Sequence, residues 1–95
     1  MKILRPSTQF KKDAKRIRNN PRKAEALLRI LQILSAGLPI PESYRPHTLQ
    51  HDYAGCMECH VENDFLLIWI DHETNEIDLV RLGSHSELFG KGAKR

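Results

Sequence analysis

Four residues able to move protons or hold a phosphate crowd toward the end of this chain: His60, Asp64, Arg81 and His85. An imidazole exchanges protons near neutral pH, a carboxylate accepts them, and a guanidinium stays cationic throughout. RNA can be cleaved without metal by such a set. A base activates the 2′-hydroxyl, an acid protonates the leaving 5′-oxygen, and a cation faces the phosphorane. Each residue also has a plainer role. Asp64 can cap a turn, His60 can face solvent, and Arg81 can pair with a structural carboxylate. His51 and His72 fall in turns and read as surface histidines. The combination, not any member, points to chemistry.

The elements that must position this set are strands. DFLLIWID at Asp64–Asp71 and EIDLVRL at Glu76–Leu82 are rich in β-branched and aromatic residues. A strand at about Cys56–Val61 precedes them and places Cys56, Glu58 and His60 on one face. Glu62-Asn63 reads as a tight turn, which brings His60 and Asp64 to one end of an antiparallel meander. Alternation leaves the face of Arg81 open, because Ile77 and Leu79 share its parity. Ser84–Phe89 reads as a final short strand. Upstream, Lys2–Arg5 reads as a short strand and Thr8–Arg18 as a helix with Phe10, Ala14 and Ile17 on one face. Asn20-Pro21 starts a second helix, with Ala24, Leu27, Leu28, Leu31 and Leu34 as its apolar stripe, ended by Gly37. Leu38–Arg45, punctuated by prolines, is an extended connection, and the stretch to Gly55 is irregular or a short edge strand. The expected fold is α+β. Two N-terminal helices cover one face of a small, mainly antiparallel sheet, and the other face is free to bind.

Ninety-five residues give one expected domain, residues 1–90, followed by a basic tail at 91–95. Residues 1–23 hold nine Lys or Arg and one acid, Asp13; residues 24–90 hold three basic and eleven acidic residues. The basic end, with Lys11, Lys12, Lys15 and Arg16 on the outer side of the first helix, suits a polyanion. By itself, such a run is more often a solvated helix face. No apolar run spans a membrane and no secretory leader is visible, so the cytoplasm is the expected compartment. There the two cysteines are expected to stay reduced. Cys56–His60 reads C-x-x-C-H, the haem-attachment pattern. On a strand, however, those cysteines face opposite ways, about 10 Å apart, which suits neither haem nor zinc nor a disulfide. No metal or other cofactor is expected.

The segments YRPHTLQHDYAGCMECHVENDFLLIWI and LVRLGSHSELFG resemble the YafQ branch of the RelE-like bacterial toxins. The likeness runs from about Phe10 to Gly90 and is densest after Tyr44. It implies a ribosome-dependent mRNA interferase of a type II toxin–antitoxin system, with a RelE-like fold and no cofactor. Cleavage in the ribosomal A site would leave a 2′,3′-cyclic phosphate and a 5′-hydroxyl. Carried over by motif, the site falls on His47, His60, Asp64, Arg81, His85 and Phe89. Phe65 stands where the family often has Trp, and Met57 replaces a frequent Arg. The implied roles are His85 as acid, Asp64 with His60 on the base side, and Arg81 on the phosphorane. His47 would orient the phosphate, and Phe65 and Phe89 would hold the A-site base. The implied partners are a cognate antitoxin, the ribosome with its mRNA, and operator DNA through the antitoxin complex only. Two other classes fit the same residues: a non-catalytic homologue that acts as a co-repressor, and a plain RNA-binding module.

Overall fold

The computed structural model describes residues 1–90, so the basic tail lies outside the described residues. In chain order the elements are β1 (Ile3–Pro6), α1 (Thr8–Lys15), α2 (Pro21–Ser35), β2 (His47–Thr48), β3 (Met57–Glu62), β4 (Phe65–Asp71), β5 (Glu76–Gly83) and α3 (His85–Phe89). The strands form one sheet in the order β1-β5-β4-β3-β2. The β1–β5 pair is parallel and the other pairs are antiparallel. The α+β architecture read from the sequence is therefore present.

Local chemistry sets the helix ends. Ser7 Oγ accepts the Phe10 N–H at 2.9 Å and starts α1. The helix stops at Lys15, short of the expected Arg18, because Arg16, Ile17 and Arg18 bond three residues back and tighten the last turn. Asn20 caps α2 with Pro21 at its first position. At its other end Gly37, at φ 74°, lets Leu38 N–H reach the Ile33 carbonyl. Leu28, assigned above to the stripe of α2, is exposed, and Ile30 takes the buried centre instead. The expected extended connection contains one 3-10 turn at Glu42–Tyr44, and a second follows at His51–Tyr53.

The sheet carries apolar packing on both faces. Phe65, Leu67 and Trp69 of β4 meet Phe10, Ile30 and Leu34 of the helices. Leu66 and Ile68 point the other way and pack with Leu49, Cys56 and Leu88. This explains the unbroken apolar run of β4, a central strand buried on both sides. It also corrects the expectation of a free second face. The segment after β2 and the helix α3 cover part of it, and a cleft opens at the end near the β3–β4 turn. Ser84–Phe89 is a helix, not a strand. Ser84 Oγ accepts the Glu87 N–H while the Glu87 carboxylate accepts the Ser84 N–H, a closed capping box.

Candidate active site

Two cross-strand rows assemble the site on the face away from α1 and α2. The first row runs His47, Glu58, Ile68, Arg81 across β2, β3, β4 and β5. The second runs His60, Leu66, Gly83. Strand spacing puts the ends of the first row about 14 Å apart at Cα, within reach of a long arginine. Arg81 is in this row only because of a bulge. Trp69 pairs with Leu79 and Ile68 with Arg81, so Val80 is an extra residue. Without it, Arg81 would share the helix face with Leu79 and Ile77. The bulge re-aims the side chain.

Gly83 ends the second row, and the chain turns into α3, whose first residue is His85. His85 Nδ1 lies 2.6 Å from Asp64 Oδ1, and the same oxygen accepts the His85 backbone N–H at 2.8 Å. Asp64 sits in the β3–β4 turn at φ 43°, a conformation that Asp tolerates better than most residues. The His85 backbone N–H, then its imidazole, hold the Asp64 carboxyl below the usual carboxylate range. An ionised carboxylate only accepts, so His85 Nδ1 donates and Nε2 is left to meet substrate.

Aromatic rings line up from there. The His60 ring centroid is 5.8 Å from His85 and 6.4 Å from His47, and Phe89 is 6.3 Å from His85. Tyr53 braces Phe89 edge-on at 5.6 Å. His47 donates from Nδ1 to the Arg45 carbonyl at 2.8 Å, which places Nε2 3.0 Å from the buried carboxyl of Glu58. A cleft of about 610 Å³ opens beside the pair, lined by Tyr44, Arg45, His60, Asn63, Asp64 and His85. A second cleft, near Leu34 and Trp69, contains none of these histidines.

The structure thus brings His47, His60, Asp64, Arg81, His85 and Phe89 to one face. Phe65 does not join them. It is 2% exposed in the core under the helices, with Lys23 Nζ over its ring at 5.1 Å. Its ring packs the core, which corrects its assignment as a base-holding residue. Lys11, Lys12 and Lys15 are exposed on α1, as is Arg16 just past its end, which also pairs with Glu87 of α3 at 3.3 Å. The sequence reading missed Asp13, Tyr53 and Glu58. Asp13 carried a signal: it lies three residues after Phe10, on the inward stripe of an otherwise basic helix. Glu58 shares the parity of His60 and pairs with buried Ile68 of the central strand β4.

Burial pushes the Cys59 thiol up to about 12, helped by the charge of Glu58, so it is no nucleophile or ligand at neutral pH. Among the described residues no three His, Cys, Asp or Glu side chains converge as a metal site. None of their helices is long and apolar enough to cross a membrane.

Residues 2–90 match the family described as the bacterial toxin of type II toxin–antitoxin system, YafQ. The chain is 33% identical over 85 residues to the mRNA interferase toxin YafQ of Escherichia coli strain B, covering 88% of this chain and 91% of that protein. It superimposes on the crystal structure of YafQ from E. coli strain BL21(DE3) with a TM-score of 0.85 at 30% identity, covering 95% of this chain and all of that one. The toxin chain in the crystal structure of the E. coli DinJ–YafQ complex gives 0.82 at 31% identity over the same shares. By sequence over nearly its whole length, and by the sheet that carries its histidines, this chain belongs to the YafQ family of type II toxins.

Proposed function

We propose that the chain is an mRNA endonuclease that cleaves in the ribosomal A site by attack of the 2′-hydroxyl on the neighbouring phosphate. The observation that carries this reading is the His85–Asp64 pair facing His60 across 5.8 Å. In the reaction His60 takes the proton from the 2′-hydroxyl. That oxygen bonds to phosphorus, and the P–O5′ bond breaks. His85 Nε2 gives its proton to the departing 5′-oxygen. The products are a 2′,3′-cyclic phosphate and a 5′-hydroxyl. Asp64 moves from the base side, where the motif alone placed it, to the support of His85, since both its bonds go there. Arg81 offers N–H groups to the phosphorane oxygens and Phe89 stacks on a base. His47, with both ring nitrogens engaged by the Arg45 carbonyl and Glu58, braces the face beside His60 rather than holding a phosphate oxygen.

The exposed lysines of α1 dock the protein on ribosomal RNA, with an affinity that falls steeply as salt rises. A cognate antitoxin silences the toxin by covering the histidine face with an acidic segment, as charge complementarity with Arg81 and His85 favours. Operator DNA is met through that complex only.

Mapping mRNA 5′ ends on translating ribosomes tests the reading. New ends in A-site register, bearing 5′-hydroxyls opposite 2′,3′-cyclic phosphates, are expected with the wild-type chain and absent with His85→Ala. Ends carrying 5′-phosphates, or cleavage equally fast on ribosome-free RNA, overturn it.

A further inference from the structure

Asp13 is the only acid in the first 23 residues, and it is turned inward, 1% exposed. Its Oδ2 accepts Arg81 Nε at 2.8 Å and the Leu82 backbone N–H at 3.0 Å. Its Oδ1 accepts Gln9 Nε2 at 3.1 Å and lies 3.4 Å from Arg81 Nη2. From the other side, Arg81 Nη1 donates to the Tyr53 hydroxyl at 3.3 Å. β1 stops pairing with β5 at Pro6–Leu79, which leaves the last turns of the β5 edge to side chains of Ser7 and Asp13. The carboxylate therefore reaches around the sheet edge to a guanidinium that the bulge has turned to the far face.

We propose that Asp13 is a positioning residue: it holds Arg81 in one orientation before substrate arrives, so that the cation meets the phosphate without reorganising. The proposal rests on the role given to Arg81 above. A guanidinium has five N–H groups. Bonds to Asp13 and Tyr53 take three, and one remains on each terminal nitrogen, enough for two phosphorane oxygens. An unheld arginine has many rotamers, and a donor fixed in advance is worth more to a transition state than one that must be ordered. Asp13 also satisfies the Leu82 N–H, which is a structural duty, so the test must separate the two.

Asp13→Asn keeps an acceptor for Leu82 and removes the charge that grips Arg81. Its single-turnover cleavage on ribosomes should fall about 10²-fold, the scale of a misplaced catalytic group, with ribosome affinity unchanged. In the Arg81→Ala background the same substitution should cost nothing further. Wild-type cleavage by Asp13→Asn, or losses that multiply in the double variant, overturn the proposal. Should Asp13→Asn fail to fold, nuclear magnetic resonance of the wild-type chain decides. A slowly exchanging Arg81 Nε–H in the free protein supports a fixed guanidinium, and a rapidly exchanging one overturns it. Arg81→Ala cleaving at the wild-type rate removes the reading of the site itself, and this proposal with it.

Discussion

Two carboxylates hold two functional side chains in this molecule by the same device and in opposite surroundings. Asp13 accepts one side-chain N–H from Arg81 and one backbone N–H from Leu82 on a single oxygen. Asp64 does the same with the side chain and the backbone of His85. The first pair is dry, with side-chain exposures of 0% and 19%; the second is wet, at 62% and 40%. The difference suits the chemistry proposed for each partner. A permanent cation gains from being fixed and desolvated, since its field on a phosphate is then strongest. A proton carrier must exchange with substrate and solvent, which a sealed pocket forbids. On the roles proposed above, the buried pair would serve the fold and catalysis together, and the exposed pair catalysis almost alone.

The sharpest test of that division is His85→Ala. Loss of a general acid costs about 10² to 10⁴ in rate. The melting temperature should hardly change, because exposed pairs contribute little and Asp64 keeps its backbone bond. A substrate with a 5′-bridging sulfur needs little protonation on leaving. It should rescue His85→Ala and leave Arg81→Ala slow. Equal rescue of both variants assigns the acid elsewhere, and an unfolded His85→Ala erases the contrast between the pairs.

How far these pairs were legible in the sequence depends on the range of the forces that make them. The β3–β4–β5 meander and the placement of His60 beside Asp64 follow from short links and alternation, both local. Phe65 was decidable too, since Leu66 pairs with His60 and takes that face, sending Phe65 to the core. The strand expected at Ser84–Phe89 was avoidable, since Ser84 followed three residues later by Glu87 is a local helix-start signal. Arg81 was not decidable. The bulge that turns it arises where β1 ends and α1 takes over the edge of β5, a contact between residues 68 apart. Nothing along the strand itself records that event.

Removing the dry carboxylate should disturb the fold more than removing the wet one. Asp13→Ala leaves the Arg81 guanidinium and the Leu82 N–H without their acceptor, an expected loss of about 3 kcal/mol in chemical denaturation. The pH dependence carries the same signature. Burial pushes the Asp13 carboxyl up, but the bonds from Arg81, Leu82 and Gln9 outweigh it and hold the group below its usual range. A depressed carboxylate stabilises the fold fully above its unfolded value of about 3.9 and stops doing so as pH falls through the lower folded value. The denaturation midpoint of the wild type should therefore drop below about pH 4, and Asp13→Asn should flatten that limb. Superimposable acid limbs in the two proteins count against the pairing.

The smallest effect tests whether the wet pair is held by its helix or by Asp64 alone. Helix α3 has five residues, too few to persist in water without help. Its help comes from Ser84 Oγ on the Glu87 N–H at 3.2 Å, Glu87 Oε1 on the Ser84 N–H at 2.8 Å, and Leu88 buried against the sheet. Ser84→Ala removes the first of these and should lower stability by about 1 kcal/mol, the ordinary value of such a cap. Gly83 limits the repairs open to the chain. It sits at φ 158°, and a side chain there would press within 2.9 Å of the Glu87 carboxylate, so the box has no room to re-form around a larger residue. Amide exchange across residues 85–89 should quicken in Ser84→Ala while β4 stays protected. If cleavage falls by more than the lost stability explains, the helix sets the His85 ring. If cleavage holds while the helix frays, Asp64 alone keeps the imidazole in place.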